Sequence, residues 1–159
     1  MMKHIRLMFA VLVTALAFSS CGKDNPGGGD GGWTGEGSVT GTWHLAGWNS
    51  LQAADVYLSL ENDGTFDLYQ RIYSPYYEHY DGTWHLDGNT LGGTYSDGTA
   101  WAGTYSVSFS GDGDRMQLVL NGDSSDTSVF TRSEIPDEIT SGDFGTRTSA
   151  GMAGGKRFL

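Results

Sequence analysis

The stretch VYLSLENDGTFDLYQRIY, residues 56–73, decides how the rest of the chain is read. Val56, Leu58 and Leu60 alternate with Tyr57, Ser59 and Glu61, and Phe66, Leu68, Gln70 and Ile72 alternate with Asp67, Tyr69, Arg71 and Tyr73. A period of two places one set of side chains on one face of a strand and the other set on the opposite face. Between the two runs stands Asn62-Asp63-Gly64, residue types that accept the backbone of a tight hairpin turn. The stretch reads as a β-hairpin with one apolar and one polar face.

The same pattern continues on both sides. Trp101, Gly103, Tyr105, Val107 and Phe109 alternate with small polar residues, and Met116, Leu118 and Leu120 alternate with Gln117 and Val119. Turn chemistry recurs at Asp87-Gly88-Asn89, Asp97-Gly98, Gly111-Asp112-Gly113 and Asn121-Gly122-Asp123, and no stretch keeps a helical period. Eight strands are predicted, near 39–48, 55–61, 65–74, 77–86, 90–96, 100–109, 114–120 and 126–132. Short connections force antiparallel neighbours, so the fold class is all-β, an eight-stranded up-and-down meander closed into a barrel without free edges. A β-sandwich of the same strands is the alternative. Gly41-Thr42-Trp43-His44-Leu45 recurs as Gly82-Thr83-Trp84-His85-Leu86. The spacing of such motifs is irregular, which points to repeated strand chemistry rather than a solenoid.

The chain outside this core is different. Lys3, His4 and Arg6 precede an apolar run from Leu7 to Phe18, and Ser19-Ser20 leads into Cys21. The run is too short to span a bilayer, which needs roughly 20 apolar residues, and its organisation is that of a secretory signal at residues 1–20. Cys21 is the sole cysteine, so no disulfide within the chain is available to it. Its setting resembles the lipobox of bacterial lipoproteins, which implies lipidation of Cys21 and anchoring of the protein to a membrane in the cell envelope, with the outer membrane expected. Residues 21–37 would then be the lipidated cysteine and a flexible Gly-rich linker, 38–136 the barrel, and 137–159 a mostly disordered tail.

Gly41-Thr42-Trp43 at the start of the first strand and Phe130-Thr131-Arg132 at the end of the last resemble the lipocalin-like pattern, in the short form found in bacterial lipoproteins. The resemblance implies that Arg132 packs across Trp43 as a structural pair at the closed end of the barrel. It also implies a ligand-binding module.

Composition narrows the function. The chain has a net charge of −10, and residues 1–20 hold two of its nine Lys+Arg and none of its nineteen Asp+Glu, so the domain itself is strongly acidic. Nucleic acid is excluded as a partner, because phosphate binding needs a basic patch. His44, His79 and His85 lack the clustering a zinc site needs, and no nucleophile elbow, phosphate loop or dinucleotide fingerprint is present. No enzyme, cofactor or metal is expected. The longer loops at 49–54, 74–77, 97–99 and 121–126 share one end, where Trp48, Tyr73, Tyr76, Tyr77 and Trp101 also fall. This end is the expected mouth, where aromatics with a polar tip suit a half-wet rim. A small apolar or amphipathic ligand there would be lined by Leu58, Leu68, Ile72, Tyr80, Trp101, Tyr105 and Leu118. The alternative is a structural or interaction lipoprotein with a filled barrel, contacting a protein or glycan partner through aromatic and acidic loops.

Overall fold

In the computed structural model of the protein, residues 32–33, 35–142, 147–148 and 156–159 are described. The expected signal and Cys21 lie outside the described residues. The chain forms β1 (Gly41–Trp48), β2 (Asp55–Leu60), β3 (Thr65–Arg71), β4 (Glu78–Asp87), β5 (Thr90–Tyr95), β6 (Tyr105–Phe109), β7 (Arg115–Leu120), β8 (Thr127–Arg132), a short α1 (Asp137–Thr140) and β9 (Arg147–Thr148). Each of β1 to β8 pairs antiparallel with its chain neighbour, and β1 pairs with β8. The result is a closed eight-stranded up-and-down barrel rather than a sandwich.

The period of two becomes the inside and outside of this barrel. Trp43, Leu45, Val56, Leu58, Leu60, Phe66, Leu68 and their counterparts on the other strands form one buried cluster. β1 carries an irregularity between Leu45 and Gly47 against β8. This places Ala46 and Gly47 both outside and turns Trp48 inward, as a β-bulge does.

The strand bounds shift by one or two residues from those predicted in most cases and by more in β3 and β6. β3 ends at Arg71 rather than 74, because the chain bends through Ser74-Pro75. β6 starts at Tyr105 rather than 100: Ala100 makes only an isolated bridge to Thr94, and Trp101 turns inward. The β5–β6 seam is consequently short, with Thr90 opposite Ser106 and Leu91 opposite Tyr105.

The packing also extends beyond residues 38–136. The Gly35 N–H donates to the Phe109 carbonyl at 3.0 Å, so part of the Gly-rich stretch lies on the closed end. Within the stretch expected to be mostly disordered, β9 pairs parallel with β4 at Glu78 and His79. That is the part of β4 beyond its pairing with β5. Phe158 and Leu159, in the same expected tail, are buried in the barrel core.

Candidate ligand site at the barrel mouth

The two ends of the barrel are built differently. At the closed end, Arg132 stands over Trp43, with its guanidinium carbon 4.2 Å from the ring centroid. It donates to the carbonyls of Thr40 at 3.2 Å and Ser38 at 2.9 Å. The Trp43 indole donates to the Val39 carbonyl at 2.7 Å. These contacts tie the chain before β1 to the end of β8.

The seven residues expected to line a ligand site, Leu58, Leu68, Ile72, Tyr80, Trp101, Tyr105 and Leu118, are all buried and inward. Leu58, Leu68 and Tyr80 are direct neighbours across β2, β3 and β4. The Trp101 ring packs closely on Gly93, where an added Cβ would come within 2.4 Å of it. Its Nε1–H is buried and finds no acceptor among the described residues. Burial pushes the Tyr105 hydroxyl up to about 12 and raises those of Tyr95 and Tyr80 as well.

The upper part of the interior holds a segment from elsewhere in the chain. The Phe158 ring lies edge-on to Trp48 at 4.9 Å and to Phe130 at 5.7 Å, and Leu159 is 2% exposed. Gln70, fully buried on β3, holds the backbone of this segment. Its Oε1 accepts from the Phe158 N–H at 2.8 Å, and its Nε2 donates to the Lys156 carbonyl at 2.8 Å and to Glu78 at 3.1 Å. The Tyr95 hydroxyl donates to the Leu159 carbonyl at 2.8 Å. Arg157 lies at the rim, ion-paired with Asp97 in the β5–β6 loop, and its guanidinium carbon is 4.3 Å from the Tyr95 centroid and 5.0 Å from that of Tyr80. Arg157, with the Thr99 N–H, holds the Asp97 carboxyl well below its ordinary value.

Several of these residues were missed in the sequence. Gln70 sits at an inward position among Phe66, Leu68 and Ile72, and a polar side chain in that company was the available signal. Asp97 looked like turn chemistry. Of the expected rim aromatics, Trp48 is in the site, with its indole donating to Asp126 at 2.5 Å. Tyr73 is exposed. Tyr77 instead turns to the outer wall and donates to Asp55 at 2.6 Å.

That outer wall carries its own pattern. His44, Tyr57, Tyr69 and His79 lie side by side across β1 to β4, stacked in pairs at 4.2 Å and 4.4 Å. His44 contacts Asp55 at 3.0 Å and His79 contacts Asp67 at 2.7 Å. Burial alone would raise the Asp55 carboxyl, but hydrogen bonds from Tyr77 and His44 and the charge of Arg71 outweigh it and hold it below its ordinary value. No group of acidic, histidine or cysteine side chains among the described residues is arranged to hold a metal ion. A separate groove of about 610 Å³, lined by Trp33, Leu86 and Phe109 among others, lies at the closed end. None of the seven interior residues lines it, and it is open to solvent, so the mouth is the better candidate site.

Residues 39–118 match the family model described as Lipocalin-like domain, which covers β1 to β6 and most of β7. No curated protein and no solved structure matches the chain.

Proposed function

Because this chain belongs to the lipocalin-like domain family, a fold typically used for binding rather than catalysis, we propose that it is a membrane-anchored lipoprotein that binds a small amphipathic ligand through the barrel mouth. The observation that carries this reading is the placement of residues 157–159. An apolar end lies inside the barrel and a charged group lies at the rim, as an amphipathic ligand would sit. An eight-stranded barrel is about wide enough for side chains or one small ligand, and here the upper interior takes two side chains that belong to no barrel strand. The free Trp101 N–H offers a donor deeper in the wall. The anchor would be lipid on Cys21, with two or three acyl chains needed for stable attachment.

Tryptophan emission recorded during titration with fatty acids and other amphiphiles tests the binding claim. A saturable change is expected, and none with any class would contradict it. Cys21→Ser should move the protein from the membrane to the soluble fraction; continued anchoring would remove the lipoprotein assignment. A second reading, an interaction lipoprotein that meets a protein or glycan, is favoured by one observation: the stacked His44–Tyr57–Tyr69–His79 row on the outer wall.

A further inference from the structure

We propose that the barrel mouth is a peptide-binding site for an extended Arg-Phe-Leu segment, and that residues 157–159 of this chain are its resident ligand. The inference rests on the binding reading above and names its ligand class.

The polar contacts decide between a peptide and an acyl chain. Gln70 accepts from the N–H of Phe158 and donates to the carbonyl of Lys156. These two groups flank Arg157 and point to one side, the spacing that a neighbouring strand uses in a parallel β-bridge. A side-chain amide thereby reads main chain, whatever side chains the peptide carries. Tyr95 reads the main chain again at the Leu159 carbonyl. Gln70 is fully buried in an otherwise apolar row between Leu68 and Ile72. A hydrocarbon chain in the same place would leave its acceptor oxygen without a partner, and a buried polar group without a partner is costly. A peptide satisfies it.

Side-chain selectivity comes from two further elements. Asp97 and the faces of Tyr95 and Tyr80 surround the guanidinium of Arg157, a combination of charge and ring face that suits arginine better than lysine. Trp48 and Phe130 form an aromatic notch for Phe158. Backbone and side chains are thus both recognised, as in strand-addition peptide sites. β9, docked on β4 at Glu78 and His79, brings the chain close to the rim. A tethered segment has a high effective concentration, so a free peptide meets a site already in use, and its apparent affinity falls by the fraction of molecules whose site is open.

The test uses the full chain and the peptide Lys-Arg-Phe-Leu with a fluorophore on its N-terminus, followed by anisotropy. An Arg157→Ala/Phe158→Ala double variant, verified as folded by circular dichroism, should bind the peptide saturably and at least tenfold more tightly than the unaltered chain. Adding Gln70→Leu to the double variant should weaken that binding at least tenfold. Equal binding by the double variant and the unaltered chain would overturn the resident-ligand claim. If the double variant binds a fluorescent fatty acid but not the peptide, the peptide class is wrong and the binding function stands. If a folded variant binds neither, both fail. Should the double variant not fold, Asp97→Asn on the exposed loop serves instead. Trypsin should then cleave after Arg157 at least tenfold faster than in the unaltered chain, and an equal rate would overturn the inference.

Discussion

Gly41 shows what the Gly-x-Trp pattern is for. Its φ is 122°, a region that residues with a Cβ rarely adopt. A Cβ there would also lie 2.6 Å from an Arg132 guanidinium nitrogen. The glycine therefore serves the arginine, which in turn covers Trp43, a contact worth about 0.5–2 kcal/mol depending on desolvation. Gly41→Ala should cost about 1–3 kcal/mol, read as a fall in the midpoint of denaturant unfolding, and an unchanged midpoint would contradict this account. Gly82 occupies the matching place in the second copy of the motif but has no positive φ. Trp84 beside it is half-buried and donates to the Glu61 carbonyl. The two identical five-residue runs therefore do different jobs, a difference that lies in their neighbours and not in their letters.

At the scale of elements, the strands were legible because each buries one face, and the period of two states this directly from Val56 to Ile72. What was not legible depends on contacts far apart in the chain. The inward turn of Trp101 shortens β6, and nothing local at Ala100 announces it. The docking of residues 156–159 is less visible still, because four residues are too few for a period. Burying Phe158 and Leu159 is worth about 1.5–3 kcal/mol each, while fixing a backbone residue costs about 1–2 kcal/mol. For this short segment the two are of similar size, so the polar contacts of Gln70, Tyr95 and Asp97 decide whether it docks. Asp97 has a depressed value in the folded protein, so its contribution is complete above the ordinary carboxyl value of 3.8 and is lost as the pH falls below it. Acidification through that window should undock the segment and shift Trp48 emission, and Asp97→Asn should abolish that step. An emission profile with the same step in the variant would contradict the assignment.

At the scale of the molecule, the described residues form a barrel filled by the side chains of its strands and by Phe158 and Leu159. Its aromatic content makes that filling measurable. Tyr80, Tyr95 and Tyr105 are all raised above 10, chiefly by burial. A folded value above the unfolded one stabilises the fold fully below pH 10, and this contribution is lost as the pH rises through the folded values. An ultraviolet titration should therefore show a group of tyrosines ionising late and together with the loss of β-sheet circular dichroism. Ionisation of every tyrosine near 10 with the barrel intact would contradict the burial pattern.

The most direct test of the occupied mouth is a nuclear Overhauser measurement on the full chain with selectively labelled aromatic rings. Cross-peaks from the Phe158 ring to the Trp48 indole and the Phe130 ring are expected. Random-coil shifts for residues 156–159, with no cross-peak to either ring, would contradict it.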